Sequence, residues 1–311
     1  MNDRIQQDHD DGIDRRGLLK CMAWVGTGLV WSWYRGEPAA RAYVQDATDE
    51  VSFVQISDSH IGFSKEPNKD VAATLQRAVE RINALKQKPA FVLHTGDLTH
   101  LAKPEEFDTC AEILKEVKGA NVLYVPGEHD VFTDDGKRYL ERYGKGTRGS
   151  GWYSFDHKGA HFVGLVNVMN LKAGGLGVLG KDQLDWLKKD VEGVKDSTPI
   201  IVFAHVPLWT VHEKWGWGTE DGATALGLLK RFGSVTVLNG HIHQILQKTE
   251  GKVTFHTARS TAFPQPEPGK ADSPGPIKDV AADKLRSVLG ITQVRYVANK
   301  APLALTDATL E

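Results

Sequence analysis

Cysteine is almost absent from the chain, which contains only Cys21 and Cys110. If an N-terminal segment that carries Cys21 is removed, Cys110 has no partner for an internal disulfide. Cys110 lies among apolar residues at helical spacing, where an isolated cysteine is typical of a small buried apolar side chain. We therefore expect a fold that is stabilised by its core and not by disulfides.

An excess of charge of one sign is also missing. The 38 lysine and arginine residues nearly balance the 40 aspartate and glutamate residues, so the formal net charge is -2. Proteins that attract nucleic acid or anionic membranes by bulk charge carry a marked basic excess. The apolar fraction of 41% and the charged fraction of 25% are ordinary for a soluble globular protein. We expect no nucleic-acid partner.

The N-terminal region, residues 1–42, lacks an apolar run of the ~20 residues that span a membrane. It contains a polar leader with Arg15-Arg16, a weakly apolar stretch at 21–33 and the small-x-small sequence Ala-Arg-Ala at 40–42. This order is typical of a cleavable export signal. An amphipathic N-terminal helix and a retained membrane anchor are the alternatives.

The paired arginines, followed directly by Gly-Leu-Leu-Lys, resemble the twin-arginine export signal. The resemblance implies recognition by the twin-arginine translocation machinery and a mature chain that begins near Tyr43. It also implies a periplasmic or secreted protein without a stable membrane anchor.

Residues 43–311 show no internal repeat and no long linker, which favours one domain. Short runs rich in β-branched residues alternate with segments of helical spacing, as in an α/β fold. The predicted strands lie at 51–57, 91–95, 122–125, 161–168, 200–204 and 235–238, and the predicted helices at 71–85, 104–117, 182–191 and 223–232. Residues 264–311 are interpreted as a proline-rich loop and a C-terminal extension packed on the same domain.

Five polar clusters directly follow apolar strands. Because the carboxyl ends of parallel strands meet at one edge of a sheet, the clusters are expected to converge in space. Their residues are the types that hold divalent metals, and the set is too large for one ion. The sequence therefore indicates two metals, although each cluster alone is a weak signal. The clusters are Asp58 with His60, Asp97, Glu128 with His129 and Asp130, His205, and His241 with His243.

These clusters match the pattern D-x-H, G-D, G-N-H-[DE], H and G-H-x-H, so residues 51–257 resemble the calcineurin-like metallophosphoesterases. The resemblance implies a β-sandwich of mixed sheets flanked by helices, in four α/β/β/α layers. It implies a first metal held by Asp58, His60 and His243, a second held by His205 and His241, and Asp97 bridging both. The metals would be Fe, Mn or Zn. His129 would stay unligated beside the leaving group, with Asp130 fixing its ring.

The resemblance also implies the chemistry, which is hydrolysis of a small phosphate mono- or diester. Two metals ~3.5 to 4 Å apart acidify a bridging water and clamp the phosphoryl oxygens, so that the resulting hydroxide attacks phosphorus in line. His129, paired with Asp130, would stabilise the leaving oxygen or give it a proton.

Glu128 departs from the family pattern, which has asparagine at this position. A carboxylate adds one negative charge to the site, so we hypothesise that Glu128 ligates the second metal and that a trivalent ion such as Fe(III) in the first position restores the charge. The alternative is that Glu128 turns out of the site. The protein would then be a slow enzyme, or a non-catalytic protein that binds a phosphate ester or a metal.

Several weaker candidates surround the predicted site. Indoles in the loop after His205 could stack on a flat leaving group or pin the loop to the core. His100 could lie beside the first metal, whereas His94, inside an apolar strand, is interpreted as structural. The remaining candidates are Trp209, Trp215 and Trp217 in that loop, and Asn239, Arg259 and Ser260 as possible contacts of substrate oxygens.

Overall fold

A computed structural model of the protein describes residues 29–34, 37–42, 50–169, 171, 174–297 and 303–311. The chain divides into two compact units, residues 1–49 and 50–311. In the first unit, strand β1 (Leu29–Tyr34) pairs antiparallel with strand β2 (Glu37–Ala42). The paired arginines of the predicted export signal lie outside the described residues, so the signal remains a prediction.

The second unit contains a five-stranded mixed sheet. Three parallel strands form its middle and one edge, and two C-terminal strands add antiparallel neighbours on the other side. The order across the sheet is β13 (Ala304–Thr309), β12 (Gly290–Val297), β3 (Glu50–Ile56), β4 (Phe91–His94) and β5 (Asn121–Tyr124).

A second, six-stranded sheet has four parallel strands and an antiparallel strand at each edge. Its order is β10 (Gln247–Glu250), β11 (Val253–Thr257), β9 (Val235–Asn239), β8 (Ile200–Phe203), β7 (Ala160–Gly164) and β6 (Tyr153–His157).

The two sheets pack face to face through an aromatic core. The Phe162 ring of the six-stranded sheet lies 5.5 Å from Phe53 and 5.3 Å from Phe91 of the five-stranded sheet, both edge-on. Along β3, Phe53 faces this core while Val54 and Ile56 face a separate core with the helices. A strand buried on both faces reads as a continuous apolar run, which is why the sequence identified it.

Helices cover the outer face of each sheet, which gives four layers and confirms the predicted fold class. The first helix is capped by the Asp70 carboxylate, which accepts a hydrogen bond from the Ala73 backbone N–H, and the second begins at Pro104.

Cys110 is buried in the core, as expected. No helix in the described part of the chain is long and apolar enough to cross a membrane. The helices are α1 (Val71–Asn83), α2 (Pro104–Leu114), α3 (Lys137–Tyr143), α4 (Lys181–Glu192), α5 (Gly222–Leu229) and α6 (Leu285–Val288).

Candidate metal centre

The loops that follow β3, β4, β5, β8 and β9 bring the seven predicted metal ligands together. The first group consists of Asp58, His60 and His243. His243 Nε2 lies 3.3 Å from Asp58 Oδ1 and 3.1 Å from His60 Nε2. Two ring nitrogens and one carboxylate oxygen therefore face a common point, and their ligand atoms lie within 4.8 Å of one another.

The second group consists of Glu128, His205 and His241. The two oxygens of the Glu128 carboxylate divide between the histidines. Oε2 lies 2.9 Å from His205 Nε2, and Oε1 lies 2.9 Å from His241 Nδ1. Glu128 thus points at the second group, in the orientation that a ligand would have.

Asp97 lies between the two groups. Its Oδ2 atom is 3.5 Å from His60 Nε2 of the first group and 3.3 Å from His205 Nε2 of the second. Its Oδ1 atom accepts a hydrogen bond from the backbone N–H of His129 at 2.9 Å. One carboxylate oxygen therefore faces both groups, which is the placement of a bridging ligand.

The buried polar atoms of the second group fit a metal ion. Glu128 Oε2, His205 Nε2 and His241 Nδ1 make no hydrogen bond despite their short separations. Buried polar atoms without partners are rare, and an ion at their point of convergence explains them. Ligand atoms each ~2.1 Å from one ion lie roughly 3 Å apart, which agrees with the distances within both groups.

Backbone carbonyls orient two of the histidines. His205 Nδ1–H donates to the Thr95 carbonyl at 2.7 Å, and His243 Nδ1–H donates to the Phe263 carbonyl at 2.6 Å. Each hydrogen bond fixes the ring and directs Nε2 toward the site, which is the orientation that a metal-binding histidine requires. The carbonyl of Phe263 left no signal in the sequence, because any residue supplies one.

The electrostatics of the site favour a cation. Burial opposes ionisation of Asp58, but His243 and His205 lower its pKa to about 2. Burial also opposes ionisation of Glu128, but the charges of His241 and His205 outweigh burial and hold the pKa of Glu128 well below its ordinary value. Both carboxylates are therefore ionised, which is the form that binds metal.

Five of the predicted ligands adopt left-handed backbone angles, which non-glycine residues avoid. The φ angles are 54° at Asp58, 42° at His60, 53° at Asp97, 70° at His241 and 55° at His243. Such conformations cost about 1–3 kcal/mol each and persist where the surroundings enforce them, as they do at functional sites. The tight loops turn both members of an Asp-x-His or His-x-His pair into the site.

Two glycines allow the loops to approach one another. A Cβ atom at Gly127 would overlap the Asp97 carboxylate, and one at Gly240 would overlap the Ser57 hydroxyl. Each glycine directly precedes a predicted ligand, so it permits the close packing on which the ligand's position depends.

His129 lies beside the site but is not held by Asp130. His129 Nδ1–H donates to the His100 carbonyl at 2.7 Å, and its ring stacks on the His100 ring with centroids 4.9 Å apart. His100 thus lies at the site, as the sequence suggested. Burial lowers the pKa of His129, but the charges of Asp97 and Glu128 outweigh burial and raise it.

The predicted role of Asp130 is wrong. Its buried carboxylate accepts hydrogen bonds from the backbone N–H groups of Leu98 at 3.1 Å, Thr99 at 2.8 Å and Gly127 at 3.0 Å, and from Thr99 Oγ1 at 2.8 Å. Asp130 therefore ties the Asp97 loop to the Glu128 loop. Burial and the nearby Asp97 carboxylate raise its pKa to about 7.

The tryptophans of the loop after His205 are structural. Trp215 and Trp217 are buried and pack on Ile242, which separates the two histidines of the His-x-His pair. Trp209 packs on Phe255 with ring centroids 4.7 Å apart. The tryptophans therefore stabilise the loops of the site by packing in the core.

The other weak candidates are structural too. His94 is buried and shares a hydrogen bond with Ser59 Oγ at 2.8 Å, as expected. Asn239 Nδ2 donates to the Ala204 carbonyl, and Ser260 Oγ donates to the Asp58 carbonyl. Arg259 donates to the Ser287 carbonyl at 2.8 Å.

Comparison with known proteins indicates a family and a fold. The family model described as calcineurin-like phosphoesterase matches residues 51–245. A probable glycerophosphodiester phosphodiesterase of Arcobacter nitrofigilis is 27% identical over 67% of this chain and 77% of that protein. A 3',5'-cyclic adenosine monophosphate phosphodiesterase of Pseudomonas aeruginosa is 25% identical over 73% of this chain and 82% of that protein. The crystal structure of a dimetal phosphatase from Danio rerio superposes with a TM-score of 0.60 at 14% identity, covering 82% and 98% of the two chains.

Proposed function

Since the chain belongs to the calcineurin-like phosphoesterase family of metal-dependent phosphoester hydrolases, we propose that it hydrolyses a small phosphate mono- or diester outside the cytoplasm. The observation that carries the proposal is the pair of ligand groups joined by Asp97. Each group presents three ligand atoms, and Asp97 Oδ2 lies within 3.5 Å of a histidine nitrogen in both. This arrangement accommodates two ions.

Asp58, His60 and His243 would hold the first ion, Glu128, His205 and His241 the second, and Asp97 both. When bound, such a pair polarises the phosphoryl oxygens and acidifies water. The extra charge of Glu128 leads us to propose a trivalent ion such as Fe(III) at the first position, with iron, manganese or zinc at the second.

His129 is the residue that we propose to act on the leaving oxygen. One of its ring nitrogens lies within 4.8 Å of carboxylate oxygens of Asp97 and Glu128. Because Nδ1 is engaged by the His100 carbonyl, Nε2 is the nitrogen free to donate a proton. The charge on the imidazolium would stabilise the oxygen as the ester bond breaks.

The substrate class draws support from two relatives whose names are those of phosphodiesterases. The proposed location rests on the export signal read from residues 1–42. Replacing the paired arginines with lysine should retain the uncleaved precursor in the cytoplasm of the native host. Mature protein in the periplasm of that variant would contradict the export proposal.

The proposed activity is tested with p-nitrophenyl phosphate and bis-p-nitrophenyl phosphate, each with and without added manganese or zinc. Metal-dependent release of p-nitrophenol from either ester supports the enzyme, and the ratio of the two rates separates a mono- from a diesterase. A metal-loaded protein that binds phosphate esters and hydrolyses neither would instead be a binding protein. The inward orientation of Glu128 favours the enzyme.

A further inference from the structure

Exposed large apolar side chains are few in the described part of the chain, and two of the three flank the metal centre. Phe132 is 55% exposed and Leu101 is 40% exposed. The third, Ile277, is 38% exposed and lies in the proline-rich loop. Isolated apolar residues on a surface are ordinary, but two beside a candidate catalytic histidine are placed to contact a substrate.

Phe132 is fixed relative to His129. Its backbone N–H donates to the Glu128 carbonyl at 3.1 Å, so Phe132 continues the helical turn that carries Glu128 and His129. The Phe132 ring stands edge-on to the His129 ring, with centroids 5.8 Å apart and an angle of 86°. Its neighbour Val131 is buried in a core cluster, whereas the Phe132 side chain faces solvent.

Leu101 lies in the loop that contacts His129, because the carbonyl of the preceding residue, His100, accepts the hydrogen bond from His129 Nδ1–H. It directly follows His100, whose ring lies parallel to that of His129 within 16°. The Leu101 backbone N–H donates to Glu106 Oε2 at 2.7 Å, which anchors the loop to the start of α2. Phe132 and Leu101, called here the apolar wall, are therefore both held by backbone hydrogen bonds next to His129.

We propose that the apolar wall receives an aromatic ring on the leaving alcohol of the phosphate ester, so that the enzyme prefers aryl esters over esters of small polyols. The inference rests on the proposed function, because it takes the ester oxygen to leave beside His129. An exposed phenyl ring offers an aromatic group a stacked or edge-on contact, whereas glycerol gains nothing from it. Trp215 and Trp217 are buried and cannot supply this contact, and the partly buried Trp209 packs on Phe255.

The test measures binding of two phosphonates, which contain no ester bond to hydrolyse. Phenylphosphonate and methylphosphonate are titrated by calorimetry into the metal-loaded full chain and into the variant Phe132→Ala. We expect Phe132→Ala to weaken phenylphosphonate binding roughly 2- to 12-fold, from the typical energy of one aromatic contact, and to leave methylphosphonate unchanged. Leu101→Ala should act in the same direction with a smaller effect, and Phe132→Trp should preserve the preference.

Ile277→Ala is the control, because it removes an exposed apolar side chain of the proline-rich loop and should change neither affinity. Equal losses for both phosphonates in Phe132→Ala would assign Phe132 a structural role and overturn the proposal. Unchanged binding of both, or a wild-type protein that does not prefer phenylphosphonate, would overturn it as well. If the wild-type protein prefers phenylphosphonate yet hydrolyses no ester in the panel, the apolar wall binds aromatic groups but the proposed enzymatic activity is wrong.

Discussion

The carboxylate of Glu128 lies 2.9 Å from Nε2 of His205, inside the predicted metal centre. The second oxygen of the carboxylate lies 2.9 Å from His241 Nδ1. The family pattern has asparagine at this position. Here a charged carboxylate points at the two histidines of the second group. A carboxylate that ligates the second ion would add one negative charge to the site that asparagine would not add.

Loss of an outer-shell partner costs about 10- to 100-fold in metal affinity. Glu128→Gln replaces a proposed direct ligand by a neutral amide of similar size, so it should weaken binding of the second metal at least about 10-fold. Metal titration and elemental analysis of protein folded in its native host measure the effect. Glu112→Gln, an exposed substitution on α2, is the control and should bind as wild type. Two divalent ions without iron in the wild-type protein would contradict the trivalent first metal.

Substitutions of Asp97 and of His129 should affect metal binding and turnover differently. Asp97→Asn removes the charge that both groups share, so metal content and activity should fall together. His129→Ala should keep both metals and lower kcat by about 10²- to 10⁴-fold, the usual contribution of a positioned proton donor. Elemental analysis and steady-state kinetics are compared for the two variants. Loss of metal in His129→Ala would show that the residue holds the site together and is not an acid.

Asp130→Ala should destabilise the protein more than it affects chemistry at His129. The substitution leaves three buried backbone N–H groups without an acceptor, which costs at least about 2 kcal/mol and therefore lowers Tm by at least roughly 4 °C in a domain of this size. Thermal unfolding measures the loss. Asp108→Ala breaks only an exposed ion pair with Arg142 and should change Tm little. An unchanged Tm with reduced kcat would restore the role of Asp130 in orienting His129.

His161 should make stability depend on pH outside the metal centre. Its ring lies between two carboxylates, 2.8 Å from Asp156 Oδ1 and 2.9 Å from Asp190 Oδ2. Burial lowers the pKa of His161, but the hydrogen bonds and charges of Asp190 and Asp156 outweigh burial and raise it. A raised pKa in the folded state stabilises the protein fully below the unfolded value of 6.5, and this stabilisation disappears as pH rises through the folded value.

Chemical denaturation of wild type and His161→Gln at a series of pH values tests this dependence. The difference in free energy of unfolding should be largest below pH 6.5 and shrink at higher pH. His157→Gln is the comparison variant, because burial and the neighbouring Lys158 lower the pKa of His157, so its difference should change with pH in the opposite direction. A difference that stays constant with pH would mean that His161 contributes by packing alone.

The sequence predicts where the proposed metal ligands lie, because each of them follows an apolar strand whose end lies at the site. Asp58 and His60 follow β3 and His205 follows β8, so local patterns sufficed to place them. The role of Asp130 was not readable. Its partners are backbone N–H groups on another loop, and such groups carry no residue signature.

The division into two sheets was also hidden from local patterns. Alternating helices and strands predict parallel pairing. They do not show that β5 lies at the edge of one sheet and that β6, the next strand, belongs to the other. The structural role of Trp215 and Trp217 depends on how their loop folds back onto Ile242. That contact joins distant parts of the chain, so the sequence left stacking on a ligand and packing in the core equally open.

The pairing of β3 with β12 has a consequence for synthesis of the chain. β3 leads directly into the Asp58 loop, yet one of its two neighbours, Gly290–Val297, is translated only after every predicted metal ligand. Pairing between such distant segments forms slowly, because a large loop must close first. We therefore expect the ribosome to release a chain whose metal centre is still incomplete, so that loading with metal is a post-translational event.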